Sequence, residues 1–86
     1  MDTPTSSQPE VTIYTTPTCH FCALTKDYFA ANNVKYTAFD VASDADKRQE
    51  MIEMTGQMGV PVIRIGNDVV IGFDKAKLAE LLHIAA

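Results

Sequence analysis

Cysteine is scarce in this 86-residue sequence, which holds only Cys19 and Cys22. A bridge between residues so close would restrain the unfolded chain little, so the pair is no structural scaffold and matters, if at all, for chemistry. Histidine is equally scarce. With His20 and His83 alone, and no second Cys-x-x-Cys, the four ligands of an intrachain zinc site are not at hand, and no bound metal is expected. Positive charge is short as well: 7 Lys and Arg stand against 11 Asp and Glu, for a net charge of −4. Nucleic acid and anionic membranes both reward a basic face, which argues against either as partner. No apolar run approaches the ~18 residues that a membrane span needs. The N-terminus lacks the basic start and apolar middle of a secretory signal, and lipidation motifs are missing, so the expected location is cytoplasmic. No internal repeat or second domain is visible, and the length suits one domain.

What is present is ordinary globular composition, 47% hydrophobic and 21% charged, rather than that of a disordered chain. The exception is residues 1–10, MDTPTSSQPE, with two prolines and a Ser/Thr run. This stretch reads as a flexible tail, and its acids Asp2 and Glu10 account for half of the net charge. The domain is expected over residues 11–86. Such a chain is near the size where a core without staples becomes marginal, so its elements should be short and tightly connected.

Val11 to Thr16 (VTIYTT) is β-branched or aromatic throughout and reads as a buried strand ended by Pro17. From Cys19 to about Asn32 the residues favour helix, with Phe21, Leu24 and Tyr28 on one face. Lys35 to Val41 reads as a second strand, parallel to the first because a helix separates them. Asp44 to Thr55 is a second helix, capped by Ser43 or Asp44 and terminated by Gly56. Val60 to Ile65 and Val69 to Gly72, around Gly66-Asn67-Asp68, form an antiparallel hairpin. Asp74 opens a last helix whose apolar face is Leu78, Leu81, Leu82 and Ala85. The expectation is an α/β fold, β-α-β-α-β-β-α, in which helices cover both faces of a four-stranded mixed sheet. The first strand should lie inside the sheet and deliver the cysteines to its edge, where ligand sites of open α/β sheets lie.

Cys19-His20-Phe21-Cys22 begins a helix directly after a strand. The first helical turn has unpartnered N–H groups and is the positive end of the helix dipole, so a thiolate is favoured there. Cys19, at or near the N-cap, is the candidate exposed nucleophile. Cys22, one turn on, can reach its sulfur. The chemistry that follows is thiol–disulfide exchange: Cys19 attacks a substrate disulfide, and Cys22 resolves the mixed disulfide. An alternative is an iron–sulfur cluster bridged between two copies, acting as carrier or sensor. His20 either carries positive charge that favours the thiolate or is simply solvated. Tyr14 reads as core, His83 as surface, and Met51, Met54 and Met58 as core filler.

Tyr14-Thr15-Thr16-Pro17-Thr18-Cys19-His20-Phe21-Cys22 resembles the active-site segment of glutaredoxins. Gly59-Val60-Pro61-Val62 resembles that family's cis-proline loop, and Gly72-Phe73-Asp74 its corner before the last helix. The Gly-Phe pair also resembles the redoxins that serve ribonucleotide reductase. The resemblance spans residues 11–84 and implies the thioredoxin fold. It implies a cis Val60–Pro61 bond facing the cysteines, with the Val60 backbone turned outward to pair with an extended substrate. It also implies that Thr16, His20, Phe21 and Phe73 border the groove. Asp74, a helix N-cap on its own chemistry, would also hold the amino group of glutathione's γ-glutamyl unit.

The resemblance implies a monomer with no bound cofactor, acting on disulfide-containing or glutathionylated proteins. Glutathione is then a possible co-substrate, and the electron donor is glutathione or a thioredoxin reductase. One departure bears on that choice. Glutathione-using members commonly carry a lysine just before the active-site loop, where Thr15 and Thr16 stand here, and the Lys47-Arg48 pair is placed elsewhere. Gln57 is a hydrogen-bonding candidate for the glutathione carboxylate.

Overall fold

Five consecutive β-branched or aromatic residues form β1 (Val11–Thr15), and Pro17 prevents it from running further. The computed structural model describes residues 10–83, so the tail expected over residues 1–10, Glu10 excepted, and the expected packing of Ala85 lie outside the described residues. After β1 come α1 (His20–Ala31), β2 (Thr37–Asp40), α2 (Ala45–Thr55), β3 (Val62–Ile65), β4 (Asp68–Ile71) and α3 (Lys75–Leu82). The sheet order is β2-β1-β3-β4. β1 and β2 are parallel, while β1–β3 and β3–β4 are antiparallel. This is the expected α/β architecture, with β1 inside the sheet.

The helix ends follow capping chemistry. Asp44 Oδ1 accepts the Lys47 N–H at 3.1 Å and caps α2. Gly56 ends that helix at φ 75°, a left-handed conformation that glycine adopts without a Cβ penalty. Asp74 Oδ1 accepts the Lys77 N–H at 3.2 Å and starts α3, whose C-cap is the exposed His83.

Two cores lie on opposite faces of the sheet. Val11, Ile13, Ile63, Ile65 and Val70 pack with Phe29 of α1 and Leu78 of α3. On the other face Tyr14, Val41 and Val62 pack with Met51 of α2. Full burial of a side chain such as Phe29 or Leu78 contributes roughly 1.5–3 kcal/mol each.

Three expectations are corrected. The buried stripe of α1 is Cys22, Thr25 and Phe29, not Phe21, Leu24 and Tyr28. The two stripes share the same spacing, one residue apart, and seating Cys22 under the sheet edge turns Phe21 outward. The outer strands are not covered on both faces: α2 leaves Val69 and Ile71 of β4 exposed. And Met58 is 64% exposed, because it follows the Gly56 cap and lies outside helical periodicity, whereas Met51 is buried and Met54 half-buried.

Below α2, the next row of the sheet (Thr37, Thr12, Arg64) stays polar. With Tyr14, Phe39, Lys47, Glu50 and Glu10 it lines a groove of about 270 Å³ that contains none of the candidate site residues. No helix among the described residues is long and apolar enough to cross a membrane.

Candidate active site

The turn between β1 and α1 is built by its backbone. The Cys19 N–H donates to Thr16 O at 3.3 Å, and the Thr15 hydroxyl donates to the same carbonyl at 3.4 Å. The Val41 N–H donates to Thr15 O at 2.9 Å, which carries the β1–β2 ladder to the edge of this turn. Cys19 is then the N-cap of α1, with extended backbone (φ −87°, ψ 113°). Its Sγ accepts the Cys22 N–H at 3.1 Å. The two cysteines are joined by a disulfide, with their Cα atoms 5.2 Å apart. Cys19 is half-buried and Cys22 is 1% exposed. Cys19 thus occupies the cap position expected from the sequence, and it is the sulfur that a partner can approach.

Sheet register brings two further segments to this end. Val62 pairs with Tyr14, and Ile71 pairs with Val62. The Gly72 N–H donates to Pro61 O at 2.8 Å, continuing the ladder past both strand ends through the one backbone group proline can offer. The Val60–Pro61 bond is cis, as the resemblance implied. Pro61 is buried, and Val60 is half-buried against the α2-side core. Gly72 turns out of β4 at φ 84°.

The remaining candidates sort clearly. Thr16 is half-buried, and its carbonyl receives the bonds described. His20 and Phe21 are exposed at the start of α1, with their rings edge-on at 5.4 Å. Phe73 packs more than it projects, since its ring meets Tyr28 at 6.0 Å beside the α1–α3 core. Asp74 is exposed and committed to its cap.

Gln57 and Arg48 sharpen the picture. Gln57 Oε1 accepts the Gly59 N–H at 3.3 Å and shapes the loop before Pro61, while its Nε2 is buried without a hydrogen-bond partner. Arg48 does not stand before the active-site loop, but it is tied to the turn after β2. Its Nη1 donates to Val41 O at 3.2 Å, at the end of the sheet that carries the cysteine turn. The parallel pairing of β1 and β2 held that signal, because it brings the turn after β2 to the same end as the turn after β1.

Comparison with known proteins decides the family. The glutaredoxin family profile matches residues 11–70. The chain belongs to the glutaredoxin family. It is 40% identical over 73 residues to an uncharacterised glutaredoxin-like 8.6 kDa protein of the rubredoxin operon of Clostridium pasteurianum, covering 85% of this chain and 97% of that one. Glutaredoxin 3 of Escherichia coli K12 is 34% identical over 64 residues, covering 74% and 77% of the two chains. Among solved structures, the thioredoxin-like protein BC3987 superposes with a TM-score of 0.80 at 36% identity, covering 85% of this chain and all of that one. The fold is therefore the thioredoxin fold. Family membership together with the Cys19–Cys22 disulfide supports a thiol–disulfide oxidoreductase. No cluster of three or more His, Cys, Asp or Glu able to hold a metal occurs among the described residues.

Proposed function

We propose that this chain is a monomeric, cytoplasmic dithiol–disulfide oxidoreductase that reduces protein disulfides or glutathione mixed disulfides, with Cys19 as nucleophile and Cys22 as resolving thiol. The observation that carries this reading is the asymmetry of the pair: Cys19 caps the helix and is half-buried, and Cys22 lies beneath it, fully buried.

In the reduced protein the Cys19 thiolate attacks one sulfur of the substrate disulfide. The substrate S–S bond breaks, one substrate sulfur leaves as thiolate, and a mixed disulfide forms at Cys19. Cys22 then loses its proton and attacks Cys19 Sγ. The second substrate thiolate leaves and the Cys19–Cys22 disulfide forms, so two electrons have passed to the substrate. Glutathione or a flavoprotein thioredoxin reductase restores the dithiol. The redox centre is the cysteine pair itself, so no bound cofactor is needed. Val60 offers backbone to an extended substrate in strand fashion beside Pro61, and Thr16, His20, Phe21, Phe73 and Asp74 border it.

The test is NADPH consumption with a disulfide substrate, coupled either to glutathione and its reductase or to thioredoxin reductase. Turnover in at least one system that vanishes in Cys19→Ser is the expected result. Wild-type protein inactive in both would overturn the proposal.

A further inference from the structure

The β1–β2 ladder runs out at a proline, and a side chain takes the place of the missing donor. In a parallel pair a residue donates its N–H to one carbonyl of the partner strand. Its own carbonyl accepts from the N–H two residues further along that strand. The Val41 N–H donates to Thr15 O at 2.9 Å, in the register that sets Thr15 opposite Asp40. The donor for Val41 O would therefore be residue 17, which is proline and has no N–H. Arg48 Nη1 fills that role instead, 3.2 Å from Val41 O. The bond seats the guanidinium at the β2 flank of the turn that runs from Pro17 to Cys19.

Nothing in α2 itself calls for a cation there. Arg48 is the fourth residue of that helix, near its positive end, where positive charge is disfavoured. It is half-buried and Val41 is 3% exposed, so its charge is screened less than on an open surface. The other charged groups around the turn are committed elsewhere. Asp40 Oδ1 accepts the Ala42 N–H at 2.9 Å, and Asp44 and Asp74 cap their helices. Lys47 turns to Glu50 at 3.2 Å, and Lys75 sets its ammonium 5.7 Å from the centre of the Tyr28 ring. On α1, His20 is exposed beside Cys19, and Lys26 lies further along the helix.

We propose that Arg48 is a positioning residue for the nucleophile: seated where Pro17 leaves the ladder without a donor, it ties α2 to the cysteine turn and holds a positive charge at its flank that favours the Cys19 thiolate. This rests on the reading of Cys19 as the attacking sulfur. Arg48 acts on that sulfur through space and through the turn, not by contact with substrate. The start of α1 supplies partial positive charge, and Arg48 adds a whole one. Arginine suits the place because it keeps its charge at every working pH while its planar fork holds the carbonyl.

Three variants separate the charge from the bond. Arg48→Lys keeps the charge, Arg48→Gln keeps a donor for Val41 O without the charge, and Arg48→Met keeps neither. The rate of alkylation of the pre-reduced protein by iodoacetamide, followed against pH, gives the Cys19 midpoint in each. Urea denaturation gives the stability. The midpoint is expected to rise by roughly half a pH unit in the Gln and Met variants, which is about threefold less thiolate below it, and to stay within about 0.2 unit of wild type in the Lys variant. Below the midpoint, kcat/KM for disulfide reduction should fall by the same factor in the Gln and Met variants. A role confined to tying the carbonyl would lower the stability of the Met variant and leave the Gln midpoint at the wild-type value; that result would overturn the inference. Equal midpoints in all four proteins, or a Lys variant shifted as far as the Gln variant, would overturn it too. Because the Gln variant keeps the bond, the test does not depend on the Met variant folding. Absence of turnover by the wild type would instead strike the oxidoreductase reading and leave the comparison of midpoints standing.

Discussion

The backbone N–H of Cys22 donates to the Sγ of Cys19 across 3.1 Å. A capping residue normally offers oxygen to that donor; here it offers sulfur, so the bond that starts α1 also points a hydrogen-bond donor at the reactive atom. In the reduced protein the same donor, with the positive end of the helix dipole, favours thiolate over thiol. Cys19 is therefore expected to ionise below the ~8.5 of a free cysteine. The rate of alkylation by iodoacetamide, followed against pH, measures this directly. A midpoint at the free-thiol value would refute it.

Burial separates the second sulfur from the first. Cys22 cannot be approached from solvent without opening the core of α1. Cys22→Ser should therefore leave the first attack intact and halt the second, so that the mixed disulfide at Cys19 accumulates. Mass spectrometry of the variant after one turnover should find the substrate thiol attached at Cys19. Free enzyme with full product release in that variant would contradict the assigned order.

The cap at Asp74 separates a structural role from a binding one. Replacing Asp74 with Ala removes the acceptor for Lys77 N–H and should cost about 0.5–2 kcal/mol in urea denaturation. Asn preserves the acceptor, so Asp74→Asn should fall close to wild type. Equal losses in both variants would show that the charge, not the cap, matters there.

A pH dependence is expected from the pair on the α2 face. The Lys47 ammonium, hydrogen-bonded at 3.2 Å, and then the Tyr14 hydroxyl hold the Glu50 carboxyl below its ordinary range. The unfolded chain, titrating near ~4.3, takes up this proton first as pH falls. The contribution of Glu50 is thus fully present above that value and is lost as pH drops through the lower folded-state one. Burial, followed by the Glu50 hydrogen bond, raises Tyr14, whose contribution is lost instead as pH rises beyond ~10. The stability gap between wild type and Glu50→Gln should therefore narrow from neutral pH to about pH 3. Side chains 33% and 44% exposed limit that gap to below about 1 kcal/mol. A gap that widens towards acid would refute the assignment.

Local chemistry was enough to read much of this protein from its sequence. β-branching marks Val11–Thr15, proline stops it, and asparagine, aspartate and glycine punctuate the helices where they were expected to. The place of Cys19 at a helix start follows from neighbours within a few residues, so the seat of reactivity was legible without coordinates. What lay beyond the sequence depends on contacts between distant segments. A helix with two adjacent stripes of equal spacing does not say which one it buries; the fit of Cys22, Thr25 and Phe29 under the sheet decided that, and so exposed Phe21. Met58 lies in the loop before β3, past the Gly56 cap, and is exposed rather than part of the core. Arg48 came to the cysteine end only through the pairing of β1 with β2. Sequence determines which residues can react, because that depends on bonded neighbours and the first helical turn. Which side chains and charges surround the reactive sulfur is decided by tertiary packing, because strand register and helix rotation are set by the burial of the whole core.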